Sequence, residues 1–135
     1  TLAGDRAPFD MFAVLVGHGV FTRHPNLKTA SIEAGSDWVP TLVKKLKKAY
    51  AQNPWAFATD PVQQLRDHLW VAPFYEDDIR VLADTIGVDR VLFGSDYPHA
   101  EGLADPLAFV NDLPGFSESE VRSIMSDNAL ALLNG

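Results

Sequence analysis

The sequence predicts an α/β domain of parallel βαβ units. More fully, it predicts the C-terminal portion of a (β/α)8 TIM barrel, with about three βα units plus terminal helices. Three observations carry this. Runs of β-formers alternate with helix-like runs in the order helix, strand, helix, strand, helix, strand, helix, and strands separated by helices join in parallel. Three parallel strands make a poor sheet alone, whereas a whole barrel takes about 250 residues and these units match its sixth to eighth strands. Two of the strands end in a carboxylate beside a glycine, Glu33 and Asp96, and strand carboxyl ends are where barrels and open α/β sheets gather ligands.

Thr1 to Pro8 reads as a loop, with Pro8 placed to open a helix. From Phe9, the stretch FDMFAVLVGHGVFTRH sets Phe12, Leu15 and Val16 on a helical face that Gly17 and Gly19 weaken. His24-Pro25-Asn26 stops that helix, since a residue before proline avoids the α region. The first strand is Lys28 to Ala34 (KTASIEA), with Glu33 near its carboxyl end and Gly35-Ser36 closing it. Ser36 or Asp37 then caps a helix from Trp38 to about Tyr50, with Pro40 in its first turn. Ala51 to Asp60 reads as a loop, and Asp60 caps a short helix through Arg66.

His68 to Ala72 is the second strand, ended by Pro73. Asp78 to Gly87 reads as a helix with an acidic first turn and a glycine stop. Val91, Leu92 and Phe93 form the third strand, which Gly94 and Ser95 break just before Asp96. Asp105 to Asp112 is a further helix with Pro106 at its first position. The last begins at Ser117, with Glu120 three residues on as in a capping box, and carries Val121, Ile124, Met125, Ala129, Leu132 and Leu133 along one face.

Composition narrows the function. The 135 residues are 47% hydrophobic and 21% charged, enough to bury a core, and the net charge of −7 argues against a nucleic-acid surface. The basic cluster Lys44, Lys45, Lys47 and Lys48 reads as the solvated face of an amphipathic helix. With no cysteine there is no disulfide, thiolate metal site or cysteine nucleophile, which fits a reducing compartment and a cytoplasmic location. No apolar run approaches the roughly 20 residues of a membrane span, and the N-terminus lacks the pattern of a signal peptide. Beginning on Thr rather than Met suggests a piece of a longer chain. Ser95 lacks the G-x-S-x-G setting of a serine hydrolase. His18, His24 and His68 show no metal-ligand spacing and read as structural or exposed.

The strings HPNLK, then AG with a Trp-x-Pro helix start, then IGVDRVLFGSDYPHAEG and SESEVRSIMSDNALALL resemble the C-terminal part of the amidohydrolase-related family, the aminocarboxymuconate semialdehyde decarboxylase-like metal-dependent hydrolases. The resemblance runs from about Gly19 to Leu133. It implies a barrel with one divalent metal ion, zinc first and manganese or iron next, and hydrolysis or non-oxidative decarboxylation of a small carboxylic acid. On it, Asp96 matches the carboxylate that ends the eighth strand, a metal ligand that also handles the proton of the metal's water. Glu33 stands where the family usually has a histidine, and is a candidate general base and second oxygen ligand. His99, three residues after Asp96, is a candidate contact for a substrate carboxylate, and Trp38 a candidate pocket wall with core packing as the alternative.

The family's H-x-H pair on the first strand and its histidine on the fifth have no counterpart here. That leaves two ligands where catalytic zinc has three, so this stretch is expected to act only as part of a longer chain. Its expected partners are the remainder of its own barrel and a small-molecule carboxylate, with no nucleic acid and no membrane. Exposed apolar faces favour self-association, with a homodimer open. The competing reading is a non-catalytic barrel relative serving as a binding or assembly module, which the Glu33 departure favours.

Overall fold

Helices start where the sequence supplies caps. The Asp60 carboxylate accepts from the Val62 and Gln63 amides, Asp78 from Val81, and Ser117 and Glu120 form the reciprocal capping box. A computed structural model of the chain describes residues 6–100 and 102–134. Its helices are α1 (Arg6–Gly17), α2 (Val20–Arg23), α3 (Trp38–Gln52), α4 (Pro61–His68), α5 (Ile79–Ile86), α6 (Glu118–Arg122) and α7 (Asn128–Asn134). Two strands, β1 (Thr29–Ser31) and β2 (Leu69–Val71), pair in parallel with Ala30 opposite Trp70. A third extended segment joins β2 through one parallel bridge, Val71 to Val91, and the Leu92 amide donates to the Val71 carbonyl at 2.8 Å. Parallel strands alternating with helices are thus present, in the chain order that the sequence predicts.

The strands are shorter than expected. Lys28 to Ala34 contracts to Thr29–Ser31, because Glu33 takes φ 56° and leaves the β region. His68 to Ala72 contracts to Leu69–Val71, with His68 held as the last residue of α4. Val91 to Phe93 forms a single bridge. Other boundaries shift as well. The first helix already includes Arg6, before Pro8, and breaks at Gly19, which takes φ 64°; Thr1 to Asp5 lie outside the described residues. The helix from Trp38 runs through Gln52, and Pro54–Ala56 forms a 3₁₀ turn inside the expected loop. Neither Ser36 nor Asp37 caps it with a side chain: the Asp37 carboxylate caps nothing, and Ser36 is engaged elsewhere. Asp105 to Asp112 is a 3₁₀ segment, Pro106–Asp112. A wide π turn, Ser123–Asp127, joins α6 to α7.

Side chains alternate across the sheet, and each face has its own cover. Leu69, Val71 and Val91 point to the main core, with Phe12, Leu42, Leu65, Leu82, Phe109 and Ile124 from the surrounding helices. Trp70, Ala72 and Leu92 point the other way and meet Ala129 and Leu132 of α7. Burying one such Leu, Ile or Phe is worth about 1.5–3 kcal/mol, so the face with the larger cluster anchors the strands. Asn128, itself buried, donates through its side-chain amide to the Val88 and Val91 carbonyls at 2.8 and 2.7 Å. That contact ties the last helix to the start of the segment leading to Asp96. His68 stacks on Phe21 with ring centroids 4.4 Å apart, a structural role. Lys44, Lys45, Lys47 and Lys48 are solvent-exposed along α3. Among the described residues no helix is long and apolar enough to cross a membrane.

Candidate metal centre

The segment after Val91 folds back on itself. Ser95 accepts from the Leu103 amide at 2.9 Å, the Asp96 carbonyl from the His99 amide at 2.9 Å, and the His99 carbonyl from the Gly102 amide at 3.0 Å. Gly102 is required by space, since a Cβ there would collide with the Asp96 carbonyl. Asp96 sits at φ 56°, a left-handed conformation that Asp tolerates better than most residues. The loop therefore presents its carboxylate at the strand end by local bonding alone.

The Asp96 side chain is 14% exposed and its Oδ1 lies 2.7 Å from His99 Nδ1. An ionised carboxylate only accepts, so His99 Nδ1 carries the proton in this contact. The His99 ring is 56% exposed.

Glu33 follows the carboxyl end of β1, on the other side of β2 from the segment that leads to Asp96. It too sits at φ 56°, outside the ordinary range for a residue of its length, and strain of about 1–3 kcal/mol at such positions clusters at functional sites. Glu33, Asp96 and His99 each offer a ligand atom, all within 4.8 Å of one another. The structure thus brings together both sequence-derived carboxylates and adds His99 to them. Sequence spacing counts two donors, while the fold assembles three.

Trp38 is elsewhere in character. It is 3% exposed, stacks on Phe12 at 5.2 Å, and donates its indole N–H to the Gly35 carbonyl at 3.1 Å. It is a core residue that braces the turn after Glu33 through that bond, and core packing is the alternative that the sequence leaves open.

Asp77, in the loop after β2, was not singled out from sequence. Its Oδ2 accepts from the Ser36 hydroxyl at 2.9 Å and from the Phe74 amide at 3.0 Å. Burial pushes its pKa above the ordinary value, the Ser36 and Phe74 hydrogen bonds oppose that, and the neighbouring Asp37 charge adds to it. Only its place in the loop between the carboxyl end of a strand and the next helix could have flagged it.

A family model for amidohydrolases matches residues 2–135. The chain belongs to the amidohydrolase family. Among amidohydrolases of known structure, it is similar to one from Mycobacterium avium subsp. paratuberculosis K-10. That crystal structure superposes with a TM-score of 0.92 at 59% identity, covering 96% of this chain and 34% of that one. A curated relative, the 2-amino-3-carboxymuconate-6-semialdehyde decarboxylase of Dictyostelium discoideum, is 27% identical over 120 residues, which is 85% of this chain and 33% of the relative. The chain has the fold of the corresponding part of the mycobacterial amidohydrolase and spans about a third of the length of these relatives.

Proposed function

We propose that this chain is the C-terminal part of a (β/α)8 barrel and contributes Asp96, Glu33 and His99 to the metal centre of a hydrolase or non-oxidative decarboxylase acting on a small carboxylic acid. The observation that carries this is the convergence of those three residues, from two strand ends, to within 4.8 Å. Two carboxylates and an imidazole make a donor set that suits Zn²⁺, and also Mn²⁺ or Fe²⁺. When bound, such an ion supplies Lewis acidity at neutral pH. Asp96 holds its ligand pose through His99 and is the group that takes up or returns a proton at its carboxylate oxygen. With Nδ1 donating to Asp96, His99 has its Nε2 lone pair to give to the ion. Glu33, where the family usually has histidine, brings an acceptor and a negative charge in place of an imidazole, and so serves as ligand or base.

The length of the relatives supports a longer chain whose other strands complete the barrel, with the absence of cysteine favouring a cytoplasmic setting. The test is elemental analysis of the natural-length protein beside Asp96→Ala. About one divalent ion per chain, lost in the variant, is expected. A protein that takes up neither zinc nor manganese would replace this reading with a non-catalytic binding module.

A further inference from the structure

We infer that Asp77 is the positioning residue for Glu33: it fixes the turn after Glu33 and thereby sets where that carboxylate stands relative to Asp96 and His99. This rests on the reading of Glu33 as part of the metal centre. Glu33 is exposed and lies in the left-handed region, a conformation that persists only where the surrounding structure holds it. Two residues on, Gly35 repeats that conformation at φ 59°, and a Cβ there would lie 3.2 Å from the Phe74 ring. Ser36 follows, 3% exposed, with its hydroxyl donated to Asp77. The same Asp77 oxygen accepts from the Phe74 amide, so one atom joins the turn after β1 to the loop after β2.

Hydrogen bonds to a carboxylate are roughly twice as strong as neutral ones, and burial of Asp77 strengthens them further. The β1 turn is thus clamped at two points, by Asp77 on the Ser36 hydroxyl and by the Trp38 indole on the Gly35 carbonyl. Asp77 touches the clamped turn and acts on the site only through Glu33.

The experiment is calorimetric titration of the natural-length protein with Mn²⁺, for Asp77→Ala and Asp77→Asn, each with Glu33 present and with Glu33→Ala. Asp77→Ala is expected to weaken Mn²⁺ binding by about 10-fold, the low end for residues that orient a ligand. Asp77→Asn, whose amide oxygen accepts the same two bonds, restores most of it. In the Glu33→Ala background the Asp77→Ala loss should vanish, since it acts through the missing carboxylate. An equal loss in both backgrounds, or no loss at all, overturns the inference. If the wild type takes up no Mn²⁺ the metal reading itself fails, and if Glu33→Ala takes up none the cycle cannot be closed. In either case hydrogen exchange decides: faster exchange over residues 32–37 in Asp77→Ala, with residues 95–103 unchanged, upholds the positioning role, and unchanged exchange over 32–37 overturns it.

Discussion

The two loops that deliver carboxylates differ in how they are held. Both follow a parallel strand and both place their acid at φ 56°. The Asp96 loop closes through its own backbone bonds and a glycine that fits only without a side chain. The Glu33 turn is fastened by residues that are distant in sequence or belong to the next helix, Asp77 and Trp38. The same conformation can be built by local bonding or imposed by neighbours. The locally bonded loop should break by single changes inside it, and the imposed one by changes outside it.

The largest effect is expected from Gly102→Ala. A methyl forced against the Asp96 backbone should cost about 1–3 kcal/mol, as overpacking does, and should lower divalent-ion binding with it. Thermal melts with metal titration check both, and a variant that keeps full metal affinity would show that the loop is not held from within. Asn128→Ala comes next. It leaves the Val88 and Val91 carbonyls without their donor, at a cost of about 1–2 kcal/mol. Because it acts at the entry to the third strand, melting should drop while Mn²⁺ affinity changes little.

The smallest effect is in pH dependence. Asp77 has its pKa raised from the ordinary 3.8, so between that value and the folded one the folded state binds more protons than the unfolded. Stability therefore falls as pH rises through that window. Asp77→Asn removes this slope, and its melting temperature relative to wild type should climb from about pH 3 to about pH 7. Glu120 runs the opposite way. The Ser117 amide and hydroxyl, then Arg80, lower its pKa from 4.5. Its contribution is present above that value and lost as pH falls through the folded one, so a melting series on Ser117→Ala shows a smaller loss in acid.

The Asp96 element was legible because its signals are adjacent: an apolar run, a glycine, an acid, then Gly102 a few residues on. The capped helix starts at Asp60 and Ser117 were legible for the same reason, each being a side chain bonding amides within three residues, whereas Asp78, expected as an acid inside the first turn, is the cap itself. The strand lengths were not. β-propensity marks Thr29 through Ala34 alike, yet the ladder ends at Ser31 once Glu33 turns left-handed, and Val91 pairs at one bridge only.

By itself, then, the sequence determined the order of helices and strands, the caps at Asp60 and Ser117, and the loop that carries Asp96, because each depends on interactions between near neighbours. The tertiary structure alone decided the register of β1 on β2, the burial of Trp38, the approach of Glu33 to Asp96 and His99, and the Asp77 clamp on the turn after Glu33. Those contacts join residues tens of positions apart or depend on which face meets the core. Only packing of the helices on the sheet brings such groups within hydrogen-bonding distance.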